Sequence, residues 1–420
     1  MNEKIGAYAA LKIRDFRFFI MARQCATLAI QIQATIVGWQ LYDITHDPLA
    51  LGLIGLSEAI PAITVSLYAG HIADIVARKK IIITTVSLLL FCSLALFFFT
   101  LEPGAFLLEY SVLPIYLIIF LSGLARGFLS PANFSFMPQL IPRHLYGNAI
   151  SLNTTFWLIA SIVGPMLAGF IYAFIGISAS YGLGVVLAIA AICFYMAIPS
   201  RPVPPVSDEQ GVRQKIKSGL KFVLKTQIIF GAISLDMFAV LFGGAVALLP
   251  IFAAEILDAG PQGLGMLRAA PALGAVLMAL YITHNPIQRN TGKVMLICVA
   301  GFGASMIGFG LSTSFIFSLC MLMLSGMFDS ISMIIRSTLI HTRTPENMKG
   351  RVSAVNSIFI GSSNEIGAFE SGVTAKLMGV VTSVVFGGAM TLFTVGITAW
   401  KAKELTHLDQ LEVDEEKGHS

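Results

Sequence analysis

Charge is what this sequence has least of. Asp, Glu, Lys and Arg make up 12% of its 420 residues, against about 25% in a typical soluble domain. Hydrophobic residues reach 56%, and the mean hydropathy is +0.81. A chain of this length with so little charge cannot coat soluble domains, and its apolar content excludes disorder. Cysteine is scarce as well. Cys25, Cys92, Cys193, Cys298 and Cys320 are scattered, without disulfide or zinc spacing, and read as small packing residues. There is no glycine-rich phosphate loop and no H-E-x-x-H, and Gly301-x-Gly303 lacks the third glycine of a dinucleotide site. No nucleophile–base set appears. These absences predict a protein without metal, cofactor or enzymatic site, and without ATP as its energy source.

Long apolar runs are what is there. About 20 apolar residues cross a bilayer as a helix. About twelve such runs occur, at 16–42, 49–73, 80–101, 112–139, 146–173, 178–199, 227–256, 261–284, 293–313, 315–340, 350–377 and 380–400. The alternating segments of a membrane β-barrel are missing. The sequence therefore predicts an all-α polytopic membrane protein. Its first run has no cleavage site behind it and is expected to be retained.

The basic residues predict an orientation. Of the 27 Lys and Arg, 22 fall before span 1 or after the even-numbered spans. The opposite loops 45–49 and 102–111 hold none. Such bias puts both termini in the cytoplasm, and the net charge of +4 then marks a membrane leaflet, with no nucleic-acid partner. Between spans 6 and 7, Pro202, Pro204 and Pro205 open a linker, followed by Arg213, Lys217, Lys221 and Lys225 at intervals of four. This stripe, with Ile216, Leu220 and Val223 on another face, fits an interfacial helix or a solvated one. The expected organisation is a six-helix bundle over 1–199, a basic linker over 200–226, a second six-helix bundle over 227–403 and a disordered acidic tail over 404–420.

The two halves repeat. At an offset of 203, Leu121-Ser122-Gly123 matches Leu324-Ser325-Gly326, Asn153 matches Asn356, and Gly164 and Gly169 match Gly367 and Gly372. At an offset of 210, Gly55, Ala59, Pro61 and Ala62 match Gly265, Ala269, Pro271 and Ala272. A shift by an even number of spans gives parallel halves.

Several motifs fit this plan. The loop after span 2 reads Gly70-His-Ile-Ala-Asp74-Ile-Val-Ala-Arg78-Lys79-Lys80. Asp74 ends the span, within reach of Arg78 across a tight turn. Span 5 carries Gly164-Pro165-x-x-Ala168-Gly169, in which small residues permit close helix contact and the proline bends the helix. With Arg126-Gly127, Tyr42-Asp-Ile-Thr-His-Asp-Pro and Thr344-Pro-Glu-Asn-Met-Lys-Gly-Arg-Val, these stretches resemble the major facilitator superfamily over nearly the whole chain. The branch they are most similar to is the bacterial multidrug-efflux (drug:proton antiporter) branch, whose members include siderophore exporters. The resemblance implies two pseudo-symmetric bundles with substrate between them. It assigns Gly70, Asp74, Arg78 and Lys79 to a cytoplasmic gate, and Gly164, Pro165 and Gly169 to an antiporter-type kink. Ile75 and Ala77 depart from the family's loop signature, which weakens the expected lock. The bend at Pro165 is equally explained as plain packing.

Nine ionisable residues fall well inside spans. They are Arg23, Glu58, Arg126, Asp236, Arg268, Asp329, Arg336, Glu365 and Glu370. Each costs about 2.5–3.5 kcal/mol at a helix centre, so it faces protein or water. In the repeat register Glu58 corresponds to Arg268, and Arg126 to Asp329. The expected ion pairs are Glu58 with Arg126 and Asp329 with Arg268, either structural or proton-carrying. Burial raises a carboxyl pKa and a nearby Arg lowers it, so a pair that opens can load a proton. Glu58 ranks first, followed by Asp236, Glu365 and Asp329, with Glu370, Arg126 and Arg268 as further candidates. Arg336 and Arg23 lie near helix ends, where snorkelling also accounts for them. Gln24, Gln31, Trp39, Asn153, Trp157, Asn356 and Asn364 offer amides and aromatic surface for an amphipathic ligand, although interhelical hydrogen bonds explain any single amide as well.

The function expected from this reading is proton-coupled export of amphipathic small molecules by a monomer in the bacterial inner membrane. Its partners would be the lipid bilayer, protons and a small-molecule substrate. An importer or facilitator on the same fold, and a non-transporting sensor, remain the alternatives.

Overall fold

A computed structural model describes residues 8–102, 104–105, 111–202, 212–287, 289–345 and 348–409. The side chains at 66, 67, 70, 71, 73, 74, 212–216 and 354 lie outside that description. The long helices are α1 (Arg14–Thr45), α2 (Pro48–Ile75), α3 (Arg78–Phe98), α4 (Leu113–Phe136), α5 (Tyr146–Phe174), α6 (Ile177–Met196), α7 (Val212–Lys225), α8 (Gln227–Gly243), α9 (Gly260–His284), α10 (Thr291–Gly310), α11 (Phe315–Arg343), α12 (Lys349–Met378) and α13 (Val380–Lys401). Among the described residues there is no strand. Helices are the form that satisfies every backbone group within one span.

Among the described residues ten helices are long and apolar enough to cross a membrane. The other two expected spans are α1 and α12, of 32 and 30 residues. They have the length but are more polar. The first carries Arg23, Gln24, Gln31, Gln33 and Gln40, and the second Asn356, Asn364, Glu365, Glu370 and Lys376.

The repeat is visible in the packing. In the first half α1 packs on α5 and α6, and α3 on α4 and α6. In the second half α8 packs on α12 and α13, and α10 on α11 and α13. These are the same pairings moved on by one repeat. The register runs further than the motifs showed. Gly176 and Gly379, also 203 residues apart, turn α5 into α6 and α12 into α13 with φ of 115° and 88°. A Cβ at either would meet nothing within 4 Å. The backbone conformation, not crowding, calls for glycine there.

Two compact units result. The first comprises Met1–His46, Leu56–Glu209 and Asp258–Ala269; the second comprises Asp47–Gly55, Gln210–Leu257 and Ala270–Ser420. Each thus takes in the start of a helix from the other half of the sequence. In the first unit, the Pro165 carbonyl and Gly169 of α5 lie against Gly265 of α9. In the second, a Cβ at Gly52 of α2 would stand 2.9 Å from the Cα of Gly372 on α12. The matched glycines Gly169 and Gly372 therefore serve one kind of crossing in both units.

The linker helix and the tail differ from expectation. Lys217, Lys221 and Lys225 of α7 are exposed, as a basic stripe should be. Its apolar face, however, is covered by protein. Val223 is buried with Ile340, Val352 and Val355, Leu220 packs alongside, and Ser218 accepts a hydrogen bond from Arg351 at 3.1 Å. The tail begins folded. Lys403–Thr406 is helical, and Leu405 and Leu408 enter the core beside Met295 and Leu296. Asn290 N–H donates to the Asp409 carboxylate at 2.8 Å, and Thr291 and Gly292 N–H donate to the carbonyls of Asp409 and Leu408. This supplies acceptors, and a negative charge, to the open N-terminus of α10. Residues 410–420 of the expected tail lie outside the described residues.

Candidate functional site

The first unit holds an ion pair inside the spans, and a glycine creates it. Gly123 of α4 lies against the backbone of α2, where a Cβ would stand 2.6 Å from the Glu58 carbonyl and 3.0 Å from the Pro61 ring. Arg126 follows by about one turn and reaches the Glu58 carboxylate in an ion pair. The pairing expected from the repeat register is therefore present. Its equivalent crossing in the second unit puts Gly326 of α11 against the backbone of Pro271 on α9.

The second unit's pair is a different one. Asp236 of α8 pairs with Arg336 of α11, and both side chains are almost fully buried, at 6% and 5% exposed. Arg336 does not snorkel; its charge is held inside by an acid. The expected Asp329–Arg268 pair gives way to other arrangements. Arg268 belongs to the first unit, where its Nη1 donates to the Ala34 carbonyl at 2.9 Å. Asp329 belongs to the second unit, where it lines a cavity of about 10 Å³ with Asp236, Phe302, Phe328 and Ser332. That is room for about one water. Ser332 is 1% exposed and its hydroxyl has no hydrogen-bond partner. The Asp329 carboxyl thus adjoins a buried ion pair across a water-sized space. Arg336 and Ser332 did not emerge as site residues from the sequence. The signal was present: Asp329, Ser332 and Arg336 recur at spacings that share one helix face.

The amides divide between packing and unfilled positions. Gln31 Nε2 donates to the Ser161 hydroxyl at 3.1 Å, and Gly164 packs against the Gln31 side chain. Gln33 bridges Ser122 and Ser93. Trp39 meets the Tyr172 ring edge-on at 6.2 Å. Asn364 donates within its own helix to Ile360, and the Glu370 carbonyl accepts from Thr374. The Glu365 backbone carbonyl backs onto Gly55 of α2, 2.7 Å from where a Cβ would be. Asn153 and Asn356 behave differently. These repeat-related residues each bury a side-chain oxygen that has no hydrogen-bond partner. In the first unit Asn153 shares a groove with Arg23, Gln24, Phe156 and Trp157.

At the gate, Gly70 and Asp74 lie in α2, but their side chains are outside the described residues. Arg78, Lys79 and Lys80 form the first turn of α3, where cations oppose the helix dipole. Lys79 resolves part of this by donating to the Met196 and Ile198 carbonyls at the end of α6.

A family model of the Major Facilitator Superfamily matches residues 19–368. The chain belongs to this superfamily of membrane transporters. It is 26% identical over 398 residues to the enterobactin exporter EntS of Escherichia coli (strain K12), covering 94% of this chain and 93% of that protein. It is 26% identical over 375 residues to the enterobactin exporter EntS of Citrobacter koseri, covering 89% and 88%. Among solved structures it resembles a POT family transporter in complex with a thioalcohol-conjugated peptide, with a TM-score of 0.76 at 12% identity, covering 94% and 97%. It also resembles the inward-open xylose transporter XylE from E. coli, with a TM-score of 0.66 at 14% identity, covering 94% and 96%. At such identities the structures show the fold alone. The protein is a multi-pass membrane transporter of the major facilitator fold, and the relatives named as exporters place it beside efflux proteins.

Proposed function

We propose that this chain is a proton-coupled exporter of amphipathic small molecules, with siderophores as one class of cargo. It would work by alternating access in a bacterial inner membrane, with both termini in the cytoplasm. The observation that carries the coupling is the pair of intramembrane ion pairs, Glu58–Arg126 and Asp236–Arg336. Ionisable groups are costly in spans, and their retention there points to an ion pathway. A carboxylate beside an arginine keeps its charge; parted from it in apolar surroundings, a carboxylate takes up a proton. A cycle that opens and closes such a pair loads a proton on one side and releases it on the other. Asp329, across a water-sized space from the buried pair, offers a relay for that proton. The exporter names of the curated relatives support the direction.

The test is transport in proteoliposomes under an imposed pH gradient. Wild-type protein should move a siderophore or dye against the proton flow, and Glu58→Gln should stop gradient-driven transport. Gradient-driven transport that survives unchanged in Glu58→Gln excludes Glu58 as the carrier. Uptake of the cargo in the same direction as the protons would establish an importer.

A further inference from the structure

We infer that Asp236, Asp329 and Ser332 enclose a one-water site in the second unit, where Asp329 holds a proton and Ser332 is the positioning residue for its passage to Asp236. This deepens the reading of the chain as a proton-coupled transporter, and rests on it for the part the site plays in the cycle.

Charge sets up the site. In the first unit Glu58 and Arg126 balance each other. The second unit brings two carboxyls, Asp236 and Asp329, to one cavity, and one guanidinium, Arg336, to Asp236. Three helices wall the cavity. Asp236, Ala239 and Val240 come from α8, and Val299 and Phe302 from α10. Asp329 and Ser332 come from α11, with Arg336 one turn further on. α12 also packs on α11, but none of its ionisable groups lines the cavity. Among the described residues no second cation faces this space. A surplus charge in a span is costly, and a proton on one carboxyl removes it.

Ser332 marks where the water sits. Serines inside a helix commonly spend their hydroxyl on a carbonyl of the preceding turn. On α11, Ser325 and Ser337 do so, and Ser330 donates to the Ala275 carbonyl of α9. Ser332 is 1% exposed, and its hydroxyl has no hydrogen-bond partner. Buried hydroxyls are normally paired. A buried water makes about three hydrogen bonds. The cavity of about 10 Å³ offers it three partners, the Ser332 hydroxyl and the carboxyls of Asp329 and Asp236.

The transfer balances on these groups. The Asp329 O–H gives its proton to the water as the water gives one of its own to the Asp236 carboxylate, so the water is regenerated. Ser332 donates to the water oxygen and holds it in line. The negative charge moves from Asp236 to Asp329, and Arg336 loses its direct partner. The position of one proton thus decides whether the Asp236–Arg336 pair is closed.

Infrared titration of the purified protein in nanodiscs reads the site without cargo or gradient. Wild-type protein should show a protonated-carboxyl band that Asp329→Asn removes. Ser332→Val and Ser332→Thr add similar bulk, but only the second keeps a hydroxyl. The pH midpoint of the band should move by about one pH unit in Ser332→Val, the worth of one hydrogen bond, and keep its wild-type value in Ser332→Thr. A band unchanged by Asp329→Asn, or equal midpoints in Ser332→Val and Ser332→Thr, overturns the inference. Should the Ser332 variants not fold, the Asp329→Asn spectrum and the response of the wild-type band to sodium decide. Displacement of the band by sodium at constant pH puts a metal cation in the site and also overturns it. The expected band and shifts in a protein without gradient-driven transport would refute proton coupling and leave the site standing. Gradient-driven transport without the band would keep the coupling and overturn the site.

Discussion

Gly123 and Glu58 touch through the backbone, and that contact lets Arg126 reach the Glu58 carboxylate. The absence of one side chain thus sets the geometry of an ion pair on the next turn. Replacing Gly123 with Leu should push α4 from α2. Overpacking of this kind costs about 1–3 kcal/mol. The expected outcome is a lower unfolding midpoint in detergent together with lost gradient-driven transport. Glu58→Gln, which keeps the shape, should lose the transport and keep the midpoint to within a few degrees.

The Asp236–Arg336 pair should behave as a coupled unit. Arg336→Ala strands a carboxylate in the second unit, where Asp236 is 6% exposed. Breaking such a pair costs about 3–5 kcal/mol. The double variant Asp236→Asn/Arg336→Gln should cost less than the sum of its single variants. A thermal-stability cycle over the four proteins checks this, and additive effects would show that the groups do not depend on each other.

Asp47 and Lys376 give a pH dependence that can be worked out. Lys376 donates to the Asp47 carboxylate at 2.6 Å. Burial pushes this carboxyl up, but the hydrogen bonds from Lys376 and the Leu49 N–H outweigh it and hold it below the usual carboxylate range. A lowered folded value stabilises the fold above the unfolded pKa, about 3.9 for Asp. That contribution is lost as pH falls through the folded value. Between about pH 5 and 8, Asp47→Asn should therefore show a constant deficit, and below about pH 4 the deficit should shrink. Both side chains are partly exposed, so the effect is within about 1 kcal/mol and weakens with salt. Unfolding midpoints against pH at two ionic strengths test it.

The folded start of the tail predicts a stability role for residues 404–409. Leu405 is fully buried against α8, α10 and α13. Leu405→Ala should cost about 2–5 kcal/mol. Asp409→Ala should cost less, since it removes one carboxylate from the α10 N-terminus. Limited proteolysis of the purified protein reads both, with faster cleavage expected in the first.

Much of this protein was legible in its sequence. Apolar runs of span length predict helices, because lipid offers no other partner to the backbone. Matched glycines gave the repeat, because a helix crossing that excludes a Cβ in one half excludes it in the other. The Glu58–Arg126 pair followed from depth and register. Tertiary structure decided the rest. Whether a polar side chain is spent on packing depends on the neighbouring helix. Gln31 is taken up by Ser161, while the side-chain oxygens of Asn153 and Asn356 are left without hydrogen-bond partners. Arg336 looked like a helix-end cation until α8 placed Asp236 beside it. Leu405 looked like tail until α10 offered a surface to cover it. Composition and periodicity report which face of a helix avoids water. They carry no information on which residue of another helix arrives at that face, and partner choice in the membrane is settled by that contact.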